Sequence, residues 1–236
     1  MVPFTEIATE QTTAITDLLL GLLALYVLRD VRRHGRHGDN KKTRIWSFAF
    51  GFLACAAFLG AVVHGLELSR ELTFQLWQPI YLGLGLTVTM FLVGVVYDWR
   101  RFSIPAWLLP AAVVVAVAFY AFTLFGSGAF LVFVAYEGVV LVIALLCYLS
   151  LAIRRGFEGA GLMSIGILIS IVAGGVQAAG PMEITLIVPF DHNGLFHLIQ
   201  MPGLLFLMWG LRAELRSRVR IGGSVASSAV GPTSRV

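Results

Sequence analysis

Apolar residues in this chain fall into seven long blocks, at about 13–29, 45–66, 77–97, 105–125, 129–153, 159–180 and 193–212, separated by short polar connections. A helix that crosses the hydrocarbon core of a bilayer needs roughly 20 mostly apolar residues. The pattern therefore predicts an all-α polytopic membrane protein, a bundle of seven transmembrane helices. The first block is the shortest, with a continuous apolar core only over residues 18–28. It is preceded by Glu6 and Glu10 and followed by Arg29, Arg32 and Arg33 rather than by a small-residue cleavage site. It thus reads as a retained helix and not as a signal peptide. Pro79, Pro105 and Pro110 fall near helix starts, where proline is tolerated. Pro202 lies inside the seventh span and predicts a kink around residues 197–198. The sixth span is rich in glycine, which permits close helix contact.

Composition agrees. Of 236 residues 58% are hydrophobic and 13% charged, against about 45–50% and about 25% in soluble domains. The mean hydropathy is +0.86. These values exclude a cytosolic enzyme, a nucleic-acid-binding module and a disordered chain. Cys55 and Cys147 both lie in apolar blocks and give no disulfide framework. The net charge of +4 changes meaning once the bases are placed. Segment 29–44 holds seven of them, the third connection has Arg100 and Arg101, the fifth has Arg154 and Arg155, and the C-terminal segment has five. If seven spans alternate, 16 of the 17 bases lie on one side and only Arg70 on the other. The positive-inside rule then puts the N-terminus outside and the C-terminus in the cytoplasm. The expected organisation is a transmembrane domain over residues 1–212, with residues 213–236 forming a basic, then Gly/Ser-rich, disordered cytoplasmic tail. The expected location is a bacterial inner (plasma) membrane, with membrane lipids as partners and anionic lipid meeting the basic side. No internal repeat of the inverted transporter type is found.

Ionisable residues within spans are functional candidates by default. In this topology nearly all of them occupy the outer half. Asp17 lies about one turn inside span one. His64 ends span two, with Glu67 just beyond. Gln78 and Tyr81 open span three, Gln177 ends span six, and Asp191, His192, Asn193 and His197 open span seven. Glu137 in span five is the deepest, roughly 12 Å in at 1.5 Å per residue. The inner half is expected to hold little comparable, with Asp98 interfacial.

Of the five histidines, His34 and His37 sit in the basic connection and are expected to be solvated. His64, His192 and His197 all map to the outer end. Three neutral imidazoles with an open fourth position suit a catalytic zinc ion. On an ideal helix His192 and His197 point about 140° apart, so they converge only if His192 lies in the turn before the helix. Asp191 or Asn193 would then cap that helix. Alternatively Asn193 and His197, four apart, share a face and His192 does not ligate. Simple interfacial histidines, or a haem held between His64 and His197, are further readings. The only lysines are Lys41 and Lys42. A retinal Schiff base in the last span is therefore excluded.

Two segments, residues 60–64 (Gly-Ala-Val-Val-His) and 191–200 (Asp-His-Asn-Gly-Leu-Phe-His-Leu-Ile-Gln), resemble the CREST superfamily, the group of alkaline ceramidases and progestin/adiponectin-receptor proteins. The resemblance implies a seven-helix fold with zinc on His64, His192 and His197. It further implies hydrolysis of a lipid amide or ester near the outer face, with Asp17 or Glu67 as the proton-carrying carboxylate. Gln78, Tyr81, Glu137, Gln177, Asp191 and Asn193 would line the substrate cavity. The chain departs from the family pattern at Gly60, where a serine is common, and in the spacing of the last two histidines, one residue longer than usual. A non-enzymatic receptor-like or interaction subunit is the rival class, and a bis-histidine haem electron-transfer subunit the third.

Overall fold

The computed structural model describes residues 3–36, 39–125, 129–154 and 157–229, and at 129 and within 219–229 the backbone only. Seven α-helices occupy the seven apolar blocks: α1 (Ala8–Gly35), α2 (Asn40–Gly65), α3 (Arg70–Trp99), α4 (Leu108–Phe125), α5 (Ala129–Ile153), α6 (Ala160–Ala178) and α7 (His192–Ala229). Between α6 and α7 lies a short antiparallel hairpin, β1 (Glu183–Thr185) and β2 (Pro189–Asp191), that the hydropathy pattern does not reveal. Helices α2 to α7 each contain a stretch long and apolar enough to cross a membrane. The chain is an all-α polytopic membrane protein. Helix α1 is long enough to span, but polar residues crowd both its ends, from Thr9 to Asp17 and from Arg29 to His34.

The helices close into a ring. In turn α1 packs on α2, α2 on α3, α3 on α5, α5 on α6, α6 on α7, and α7 back on α1, while α4 packs mainly against α3 outside the ring. The faces turned outward carry large apolar side chains, such as Leu131, Val139, Leu146 and Ile153 on α5. This is the arrangement lipid requires, because helices satisfy their own backbone groups. The α6–α7 contact depends on two glycines. A Cβ on Gly166 would fall 2.8 Å from the carbonyl oxygen of Gly203, and a Cβ on Gly203 would fall 3.1 Å from that of Gly166. The glycine-rich sixth helix thus does bring two backbones together. Helix α7 continues through Pro202 and past residue 212, the expected end of span seven, to Ala229. Residues 230–236 and His37 lie outside the described residues.

The ring has two chemically different ends. At the end that carries most of the bases, the expectation of few buried polar groups is corrected. Lys42, at 0% exposure, places its ammonium 2.9 Å from Asp98 Oδ1 and 2.7 Å from Glu214 Oε2. The Tyr148 hydroxyl donates to Asp98 Oδ2 at 2.7 Å, and the Lys42 ammonium also lies over the Phe157 ring. Asp98 is therefore buried, not interfacial. Arg218 bridges Glu214 and Asp39, and Arg212 grips both oxygens of Asp30. His34, expected to be solvated, bonds through Nδ1 to the Asp30 carbonyl and meets Arg216 through Nε2. Asp39 also caps α2, accepting the Lys42 amide at 2.9 Å and the Tyr97 hydroxyl at 2.7 Å. Burial pushes the Asp39 carboxyl up, but the Lys42 amide, the Tyr97 hydroxyl and Arg218 outweigh it and hold the group below the ordinary carboxylate value. Its share of stability is present above the unfolded pKa of about 3.9 and is lost as pH falls through the depressed folded value.

The cluster ties α2, α3, α5 and α7 at one point. Breaking a buried pair leaves an uncompensated charge and costs about 3–5 kcal/mol. Lys42→Met is expected to lower the melting temperature in detergent sharply. The triple change Lys42→Met, Asp98→Asn, Glu214→Gln is expected to recover much of that loss. Equal melting of wild type and Lys42→Met would contradict this account of the cluster.

Candidate functional site

At the opposite end the ring surrounds a cavity of about 130 Å³. Its walls are mostly apolar, with Leu53, Leu84, Phe91, Phe133 and Leu204 among them, and its polar lining includes Asp17, His64, Glu137, Gln177, Asn193, His197 and Gln200. All six ring helices contribute and α4 does not. A concave, mainly apolar pocket with a few converging polar groups is the default form of a small-molecule site.

Helix α1 supplies the centre. Thr13, Thr16, Asp17 and Leu20 follow the 3–4 spacing of one helix face and are all buried. Asp17 reaches across to two neighbours. Its Oδ1 lies 3.3 Å from His197 Nε2 on α7. Its carboxylate also presses on α2 at Gly60, where a Cβ would fall 2.7 Å from Oδ2. The Asp17 carboxylate thus occupies the space that any side chain at position 60 would need.

His197 is held through Nδ1 by Thr16. The Thr16 hydroxyl lies 2.9 Å from the Thr13 carbonyl and 3.1 Å from His197 Nδ1, and its one proton can serve either acceptor. With that proton on Nδ1, His197 Nε2–H donates to Asp17 Oδ1, 3.3 Å away. With it on the carbonyl, the ring carries its proton on Nδ1, and Nε2 and the carboxylate meet as two acceptors that need a proton or a metal ion between them. His64 repeats the pattern. Its Nδ1 meets Glu10 Oε2 at 2.6 Å, which fixes Nε2 as the ring atom free to bind. Histidines that hold metals are oriented in this way, with the far nitrogen donating to a carboxylate or hydroxyl. The His64 ring also stands edge-on to Trp77, another cavity residue.

The hairpin sets the start of α7. Strand β2 delivers Asp191, whose Oδ1 accepts the Gly194 amide and the Thr13 hydroxyl, each at 2.7 Å. Asp191 is thus the residue that caps α7 and locks it to α1. The Thr12 hydroxyl contributes a further bond to the Pro189 carbonyl.

The structure brings together Asp17, His64, His197, Glu137, Gln177 and Asn193 around the cavity. Other expected residues stand apart from it. His192 is the first residue of α7 and does not line the cavity. Glu67 is exposed beyond α2, its amide bonded to the Pro3 carbonyl. Tyr81 packs in an aromatic group with Trp77 and Phe119, and Gln78 bonds the Phe74 carbonyl on its own helix. Sequence reasoning missed Glu10, Thr16, Ser170 and Gln200. The buried run Thr13, Thr16, Asp17 at 3–4 spacing is the signal that marks the inward face of α1. Among the described residues, no three His, Cys, Asp or Glu side chains already surround a common metal position. The donor chemistry of Asp17, His64 and His197, two oriented imidazoles and a carboxylate, fits a zinc ion.

Among known proteins, the model of a family of unknown function (DUF6962) matches residues 12–216. No curated protein and no solved structure matches the chain.

The close approach of Asp17 to Gly60 makes a direct prediction. Gly60→Ala is expected to displace the carboxylate and to destabilise by about 1–3 kcal/mol, as overpacking does. In an Asp17→Ala background the same change is expected to cost much less. Equal costs in both backgrounds, measured by unfolding in detergent, would show that the two residues do not press on each other.

Proposed function

The chain belongs to that family, and from the site it carries we propose that it is a zinc-dependent hydrolase of a lipid amide or ester, a distant member of the CREST group. One observation carries the reading: His197 Nε2 and Asp17 Oδ1 face each other at 3.3 Å, with His64 on the same cavity and both rings anchored through Nδ1. We assign seven spans with the N-terminus outside, because that arrangement collects 16 of 17 bases on one side. The site then lies in the outer half of the membrane, at the depth of a lipid's head group and upper chain.

Asp17, His64 and His197 would hold the metal, a two-histidine, one-carboxylate set of the kind found in catalytic zinc sites. When bound, zinc lowers the pKa of a coordinated water towards about 7 and polarises the carbonyl to be attacked. The chain's own groups do the rest. Glu10 and Thr16 hold the two rings through Nδ1, and in the metal-bound form each accepts the Nδ1 proton so that Nε2 ligates. The apolar walls take the acyl chain and exclude bulk water. Asp17 Oδ2 carries no hydrogen bond among the described residues, so we assign it to take the proton of the attacking water and return it to the leaving group. Glu67, exposed and off the cavity, has no place in this step.

Haem between His64 and His197 is the weaker reading. Its iron would bind the two imidazoles and leave the buried Asp17 carboxylate, 3.3 Å from His197 Nε2, with no place in the coordination shell. A receptor-like role would use the same cavity without turnover.

Purified protein is expected to hold about one zinc per chain by elemental analysis. His64→Ala and His197→Ala are expected to lose it, Asp17→Ala to weaken it, and His192→Ala to keep it. Metal-free protein, or loss in His192→Ala alone, would overturn this ligand set. Hydrolysis of lipid amides or esters by wild type, lost in Asp17→Asn, separates enzyme from receptor.

A further inference from the structure

The hairpin between α6 and α7 has an apolar tip. Its strands are joined by Leu186-Ile187-Val188. Turns that face water are built from Gly, Pro, Asn, Asp and Ser, and none of these stands at the tip. Instead Leu186 is 63% exposed and Ile187 96%, with Val188 and Ile184 exposed beside them. The charges sit at the base of the hairpin, where Glu183 pairs with Asp191 across the strands. No charged residue lies between those two. A contiguous exposed apolar patch of this kind marks a surface that meets another apolar phase.

The anchoring of β2 sets the direction of the tip. Asp191 Oδ1 accepts from the Thr13 hydroxyl, and the Pro189 carbonyl accepts from the Thr12 hydroxyl. Two residues of strand cover about 6.6 Å, whereas adjacent residues of α1 differ by about 1.5 Å along its axis. Strand β2 therefore crosses α1 rather than following it. Thr13 belongs to the inward face of α1 with Thr16 and Asp17, and Thr12 borders the outward face, where Ile15, Leu19 and Leu22 are exposed. From Asp191 to Pro189 the strand thus passes from the inside of the ring to its rim, and the tip continues beyond the rim. There it meets the level at which the outward apolar face of α1 begins. We propose that the hairpin is a membrane anchor, with Leu186, Ile187 and Val188 set among lipid acyl chains in the leaflet at the histidine end. The occupant of this surface is lipid because the surface is continuous with the outward faces of α1 and of α6, where Ile165, Leu168 and Val172 are exposed. The strands themselves stay at head-group level, since a two-stranded hairpin has open edges whose N–H and C=O groups need polar partners. The segment that enters the membrane also delivers Asp191, which caps α7 and ties it to α1. Lipid contact at the tip therefore helps to position the helix that bears His197.

The test is carbene footprinting of the wild-type, full-length protein in phosphatidylcholine vesicles, read by mass spectrometry of its peptides. One reagent is a phosphatidylcholine with a diazirine on the upper part of an acyl chain, and the other is a water-soluble diazirine. A Leu or Ile side chain prefers hydrocarbon over water by at least about tenfold. The lipid reagent is accordingly expected to label residues 184–188 as strongly as the outward face of α6, and at least about tenfold more than residues 67–69, where Glu67 is exposed at the same end. The water-soluble reagent is expected to show the reverse order. Leu186→Ser, Ile187→Ser and Val188→Ser together are expected to move the labelling of the hairpin from the lipid reagent to the aqueous one, while α6 keeps its own. Wild-type residues 184–188 that react with the aqueous reagent as strongly as 67–69 would overturn the proposal, whether or not the triple variant folds. Labelling by neither reagent would place the tip against protein, such as a second copy of the chain, and would overturn it too. Lipid labelling unchanged in the triple variant would show that the apolar tip is not what holds the hairpin in the membrane, the third result against it.

Discussion

A carboxylate taken out of water and set 3.3 Å from an imidazole nitrogen governs the histidine end of this bundle. A carboxylate is not at ease there without a donor or a positive charge, and the surrounding structure holds both partners in place. Thr16 fixes the ring through Nδ1. Gly60 has no side chain, which lets the Asp17 carboxylate lie against α2. Asp191, delivered by the hairpin, ties the start of α7 to α1 through Thr13. A fold that needed only stability would place an apolar pair at this spot, since lone buried charges are costly. The preservation of the contact by four separate elements is the physical basis for reading a site here.

The other end of the bundle shows what the same chain does with buried charge when it serves the scaffold. Lys42 is shared by Asp98 and Glu214, Arg218 answers Glu214 and Asp39, and Arg212 answers Asp30. Each of these carboxylates meets a base. Around the cavity the balance runs the opposite way, with two carboxylates, three amide side chains and no lysine or arginine. A polar group left unpaired within a wall is an invitation to a ligand, whereas one that is fully paired is part of the frame. The contrast between the ends of one ring separates architecture from function more clearly than either end alone.

The helices were legible in the sequence because lipid imposes a simple rule, and each apolar block became a helix, with α1, α3 and α7 running on beyond the apolar limits. The hairpin was not, because strands of three residues leave no periodic signal. The Lys42 cluster was hidden for a different reason. Lys42 sits in a run of bases that looks solvated, and Glu214 lies 172 residues away in sequence. At the site, residue type and depth were enough to pick out Asp17, His64, His197, Glu137, Gln177 and Asn193. They were not enough to place His192, whose side chain is out of phase with His197 on an ideal helix. Glu10, Thr16, Ser170 and Gln200 escaped because their roles consist of orienting other groups, which only the three-dimensional arrangement reveals. The threonine run on α1 was the one readable trace of that layer.

The central claim is that a metal ion stands where Asp17 and His197 oppose each other, with His64 completing the set. The X-ray absorption spectrum of zinc in purified protein addresses it directly. The account predicts a first shell of nitrogen and oxygen only, with the outer-shell scattering of two imidazoles, reduced to one in His197→Ala. A spectrum with no imidazole scattering, or one unchanged by His197→Ala, would contradict it.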